Sequence, residues 1–88
     1  MRLVFSGFML QYVDYRRTVD LDAATLGHAM AELARLHPRA AELMLDAAGG
    51  IRRTHQLFLN DLRLPDPSPD QPLAAGDRVE VLTAVAGG

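Results

Sequence analysis

Few residues in this 88-residue chain are of a type and spacing that could do chemistry. Its three histidines, His28, His37 and His55, fall on a helix face, a helix end and a strand start. None stands at the i+3 or i+4 spacing that would set two imidazoles on one metal ion, so all three read as surface or capping residues. Ser6 and Ser68 are the only serines, and neither occupies the G-x-S-x-G turn that exposes a nucleophile. Asp66 and Asp70 belong to a proline-rich stretch where solvated carboxylates are expected. There is no phosphate loop and no dinucleotide fingerprint. The chain has no cysteine, which removes disulfides and thiolate metal sites and fits a cytoplasmic protein. The expectation is a protein that is not itself an enzyme and holds no metal or cofactor.

The one stretch with chemical promise is the last, "VLTAVAGG". A strand runs straight into Ala84, Val85, Ala86, Gly87 and Gly88 with no polar linker. An ordinary frayed end would be polar; these residues are small and apolar. Five extended residues span about 15 Å, enough to thread a carboxylate into another protein's active site. Glycine suits that task because the absence of a Cβ lets it pass a narrow channel. An unhindered terminal carbonyl also leaves room for a nucleophile once the Gly88 carboxylate is activated.

The elements that must position this tail are legible from hydrophobic period. "RLVFSGF" places Leu3 and Phe5 on one face and Val4 and Ser6 on the other, and "YRRTVDLD" alternates about Val19 and Leu21. The two predict an antiparallel hairpin joined by a loop around Phe8 to Tyr12. In "TLGHAMAELARLHP" the period changes: Leu26, Met30 and Leu33 form an apolar stripe widened by Ala29 and Leu36. Thr25 is the predicted N-cap. Pro38 ends this helix near Leu36 or His37 and opens a second, short one through Leu45, stopped by Gly49-Gly50. "THQLFLND" is a strand followed by a turn at Asn60-Asp61 and the pair Leu62 and Leu64. "PDPSPDQP" must be a surface loop. "RVEVLTA" is the last strand, with Val79 and Val81 inward. That strand finds paired neighbours only between existing strands or beside the first. The predicted fold is therefore α+β, one mixed sheet wrapped around one main helix, in a single domain over residues 1–88 with a flexible tail at 84–88.

This order of elements, the short "QLFLND" strand and the terminal "VLTAVAGG" resemble the ubiquitin-like β-grasp sulfur carriers of the MoaD/ThiS family, over the whole chain. The resemblance is nearer the molybdopterin-synthase small subunit and the cysteine-biosynthesis carrier than the thiazole carrier. "LAAGDRVEVLTAVAGG" matches the family's final turn, last strand and tail. Thr83-Ala84 departs from it, since many relatives carry proline there, as does the loop from Pro65 to Pro72. Both departures bear on the partner rather than the chemistry. The resemblance implies that an ubiquitin-activating-type adenylating enzyme uses ATP to convert the Gly88 carboxylate to an acyl-adenylate. A sulfur donor then displaces AMP, and the resulting thiocarboxylate gives its sulfur to a downstream synthase making molybdopterin, cysteine or a thio-containing natural product. Two alternatives stay open: a protein modifier joined through Gly88 to target lysines, and a non-covalent β-grasp interaction module.

Composition narrows the partners further. The net charge is −2 and all nine basic residues are arginines. Nucleic-acid binding would need clustered positive charge, and Arg16-Arg17 and Arg52-Arg53 read as solvated loop residues. No apolar run approaches the roughly 20 residues of a membrane span. Strand alternation suggests a protein-docking patch instead. With Leu57 and Leu59 facing the core, Phe58 emerges on the opposite face of the sheet beside Leu82, where exposed apolar area suits an interface.

Overall fold

The computed structural model describes residues 1–84. Its first strand, β1 (Arg2–Phe5), buries Leu3 and Phe5 completely, as the alternation requires. It pairs antiparallel with β2 (Thr18–Asp20), Leu3 opposite Val19. The connection predicted as a loop contains a 3-10 helix, Gly7–Tyr12, which sinks Met9 into the core. Such short i→i+3 segments have no long period to announce them.

Helix α1 (Leu26–Leu36) turns Leu26, Ala29, Met30 and Leu33 onto the sheet, and Thr25 Oγ1 accepts from His28 N at 3.1 Å as predicted for the N-cap. Leu36, expected on the same stripe, is exposed. At 100° per residue it stands about 80° round the axis from Leu26 and only about 20° from the buried Ala29, at the edge of the stripe and in the last position of the helix. Pro38 opens α2 (Pro38–Met44) at its first position, where a missing N–H costs nothing. This helix ends at Met44 rather than Leu45, which is extended and bridges Ile51. Gly49-Gly50 closes the following turn instead, where Asp46 Oδ1 accepts from both Ala48 N and Gly50 N at 2.9 Å.

Strands β3 (His55–Leu59) and β4 (Leu62–Leu64) form a hairpin with Leu59 opposite Leu62. Its two-residue turn holds Asn60 and Asp61 at φ 48° and 72°, the left-handed pair that matches the twist of such a hairpin. The final strand, β5 (Arg78–Thr83), enters the middle of the sheet, giving the order β2-β1-β5-β3-β4. It runs parallel to β1 and antiparallel to β3, and Val79 and Val81 are fully buried. The parallel pair needs a long crossover, which α1 and α2 supply. One mixed sheet packs its inner face on the helices, as the sequence predicted.

The proline-rich segment is a surface loop, and it has a structural task the sequence did not suggest. Its backbone lies over the start of α1, where the Leu26 and Gly27 N–H groups donate to the Gln71 and Pro69 carbonyls at 2.9 Å. With Thr25 holding His28 N, three of the helix's orphan donors find partners in this way. The close approach explains Gly27, because a Cβ there would lie 3.0 Å from Pro69 Cβ and 3.1 Å from Pro69 O.

Candidate functional site, the root of the C-terminal tail

Central placement of β5 decides where the tail leaves the molecule. Thr83, its last residue, stands opposite His55, the first residue of β3. One residue on, Ala84 is exposed and its N–H donates to Thr54 O at 2.8 Å. Of the residues expected to thread and react, Ala84 is thus placed at the sheet's end; Val85, Ala86, Gly87 and Gly88 lie outside the described residues.

His55 holds this root. The sequence suggested a surface or capping histidine; the side chain is in fact buried, at 7% exposure. Its Nε2 lies 2.8 Å from the Leu43 carbonyl and its Nδ1 3.0 Å from Thr83 Oγ1. A carbonyl oxygen only accepts, so Nε2 carries a proton, and in the neutral ring Nδ1 then accepts from the Thr83 hydroxyl. Leu43 lies in the last turn of α2, whose carbonyls have no intrahelical partner. One ring therefore closes the end of α2 and fastens the last residue of β5. The remaining histidines behave differently. His28 is exposed on α1, and His37 Nδ1 lies 4.0 Å from an Asp14 carboxylate oxygen.

The two residues expected to dock a partner share the outer face. Phe58 stands between Arg63 and Glu80 in the register, and Leu82 is opposite Gln56. Leu82 is 38% exposed, whereas Phe58 is half-buried. At the opposite end of the sheet a polar network ties the hairpin turn to the turn before β5. Asn60 donates to Asp77 Oδ1 at 3.0 Å and Asp77 Oδ2 accepts from Ala74 N at 2.7 Å. Those bonds, the Ala74 N–H foremost, hold the Asp77 carboxyl below its ordinary range. The guanidinium of Arg2 does the same for Asp20 through a 2.7 Å hydrogen bond. Among the described residues, no three His, Asp or Glu side chains are grouped to hold a metal ion, and no helix is long and apolar enough to cross a membrane.

The family model described as the ThiS family matches residues 9–88, most of the chain and the whole of "VLTAVAGG". The chain belongs to the ThiS family. Membership makes it a ubiquitin-like protein of the sulfur-carrier or modifier kind. Solved structures agree on the fold. SAMP1 from Haloferax volcanii superposes with a TM-score of 0.82 at 22% identity, covering 99% of this chain and 97% of that one. For CysO from Mycobacterium tuberculosis the TM-score is 0.83 at 21% identity, over 96% of this chain and 98% of the other. A chain of the BexX/CysO complex from Amycolatopsis orientalis gives 0.80 at 18% identity, over 99% and 98%. These likenesses show the ubiquitin-like β-grasp for this ThiS-family chain. No curated protein matches its sequence.

Proposed function

We propose that this ThiS-family protein carries sulfur on its C-terminal glycine. The observation that carries the reading is the family match, which extends from Met9 to Gly88 and so takes in Gly87 and Gly88. The Gly88 carboxylate attacks the α-phosphorus of ATP in an ubiquitin-activating-type adenylating enzyme, releasing pyrophosphate and forming an acyl-adenylate. Without that step a carboxylate at neutral pH is a poor electrophile. A sulfur donor displaces AMP, and the thiocarboxylate serves a downstream synthase making molybdopterin, cysteine or a thio-containing natural product. The partners supply the catalysis, and ATP is the activating enzyme's substrate; the carrier has no catalytic site of its own and works in the cytoplasm. Val85, Ala86 and Gly87 thread the channel from the anchored Ala84, while Phe58 and Leu82 offer the activating enzyme an apolar contact.

The test is pyrophosphate release with the cognate activating enzyme and ATP. The expected product with sulfide present is a chain heavier by the difference between sulfur and oxygen, reactive toward thiocarboxylate-selective electrophiles. No cysteine competes in that assay. Removing Gly87 and Gly88 should abolish activation, and Gly88→Ala should slow it by adding a methyl group in the channel. A neighbouring fold from H. volcanii is named a small archaeal modifier protein, so the fate of the activated chain has a second outcome. Stable adducts on lysines of other proteins would establish a modifier; sulfur transfer with the carboxylate regenerated establishes the carrier. No adenylate at all would leave a non-covalent interaction module.

A further inference from the structure

Beside the tail's root lies a groove of about 350 Å³ that the functional reading does not use. It exists because β4 stops early. Leu64, its last residue, stands opposite Leu57, and Pro65 follows. Proline has no N–H to give to the next rung, so the chain turns away. No β4 residue then stands opposite His55 or Gln56, and the groove opens against these two.

Three arginines line it, Arg52, Arg53 and Arg63, against a single carboxylate, Asp66. Of the six arginines elsewhere, Arg2, Arg35, Arg39 and Arg78 each have a carboxylate within 4.0 Å, while Arg16 and Arg17, among the described residues, have none. Among the described residues the three groove arginines make neither an ion pair nor a side-chain hydrogen bond. The excess positive charge is local, since the whole chain carries −2. A guanidinium holds a carboxylate through two parallel N–H donors, so three of them along a groove suit a short run of acidic side chains. Leu64 and Pro65 supply apolar wall of the kind a peptide covers.

Position says which protein should bring those carboxylates. Across β3 from the groove, His55 and Gln56 are in register with Thr83 and Leu82, the last residues before the tail. Adjacent strands lie about 4.8 Å apart. Whatever enzyme receives the tail beyond Ala84 must therefore rest against the groove.

We propose that the arginine groove docks an acidic segment of the enzyme that takes the C-terminal tail. The inference rests on the carrier reading, and it goes beyond it in giving the partner's surface its charge. Opposite charges across the contact steer the encounter and set the tail's register before the channel is entered.

Two measurements decide it. The first needs no enzyme: octaglutamate is titrated at low salt while the arginine Nε–H signals are followed by NMR. Saturable shifts at Arg52, Arg53 and Arg63, lost in Arg53→Gln/Arg63→Gln, are expected. Absence of saturation overturns the groove, whether or not Gly88 is ever adenylated. Tighter binding of an oligothymidylate carrying the same number of charges also overturns it, in favour of nucleic acid. Stronger binding of inorganic phosphate than of octaglutamate does so in favour of a small anion. The second measurement is adenylation kinetics with the cognate enzyme. Arg53→Glu/Arg63→Glu should raise KM at least about ten-fold with kcat and melting temperature unchanged, and should flatten the rise of KM with salt. Arg2→Gln, at the far end of the sheet, should leave KM alone. An unchanged KM in the double variant refutes the proposal while the carrier reading stands. A wild-type chain that is never adenylated refutes the carrier reading and with it this choice of partner, while the titration still judges the groove.

Discussion

His55→Leu removes the ring that joins α2 to the last residue of β5 while filling similar volume. Two hydrogen bonds are lost, the 2.8 Å bond to the Leu43 carbonyl and the 3.0 Å bond from Thr83. A typical bond contributes about 1 kcal/mol net, and a buried acceptor left without a partner costs about 1–3 kcal/mol. Leu43 O has no intrahelical partner to fall back on, but Leu43 is half-buried, so the lower end of that range applies. Thr83 is only half-buried, and water can replace its lost partner. Added leucine surface in the core offsets about 1 kcal/mol. The expected loss is about 2 kcal/mol, or roughly 8–16 °C in Tm for a domain of this size. Thr83→Val should cost less, about 1 kcal/mol, and the double variant should fall short of the sum by about 0.5–1 kcal/mol because one bond is shared. Thermal and urea unfolding of the four proteins measures all three quantities. A His55→Leu cost below about 0.5 kcal/mol, or strict additivity with Thr83→Val, would refute the link between helix and strand.

Adjacent residues of β3 should respond very differently: Leu57→Ala, fully buried, is expected to cost about 3 kcal/mol by equilibrium unfolding. Phe58→Ala should weaken binding to the activating enzyme more than it weakens folding, and equal losses would assign the ring to the core. Gly27→Val should destabilise by about 1–3 kcal/mol, because the new side chain meets Pro69 at the covered start of α1. Its signature is faster proteolysis within the proline loop. Asp77, whose carboxyl is held low by Ala74 N–H and Asn60, binds fewer protons folded than unfolded. Its contribution is complete above the unfolded value near 3.9 and is lost as pH falls through the folded one, so Asp77→Asn should flatten the acid limb of stability below about pH 4. Deleting Gly87 and Gly88 should leave Tm unchanged, since the described core reaches only to Val81.

What could be read in the sequence was what repeats locally. Leu3 and Phe5, Val79 and Val81, and the Leu26–Met30–Leu33 stripe are short-range patterns, and each faces the core as its period requires. Thr25 and Pro38 act on their own helix ends, so their roles were visible too. Residues whose meaning comes from distant partners were not. His55 bonds across 12 and 28 positions, and nothing near it in the chain announces burial. The proline loop's hold on α1 depends on Pro69 and Gln71 reaching back to Gly27 and Leu26. Arg52 and Arg53 are the exposed loop residues the sequence suggested, but that the end of β4 brings Arg63 to the same groove could not be read from it. The end proposed to react was suggested by "VLTAVAGG", whose last four residues lie outside those described.

A tail that is drawn into another protein transmits force, and the place of β5 determines how the molecule bears it. Tension applied beyond Ala84 runs along β5, between β1 on one side and β3 on the other. The ladder to β3 lies across that direction and the one to β1 is slanted to it, so the rungs on both flanks are loaded together in shear. An edge strand peeled from its end would break them singly. The ring of His55 adds a brace at the point where the load enters, fastening Thr83 to α2. On the proposed reading, a partner that pulled the C-terminus taut would meet a body that acts as a stop rather than unravelling.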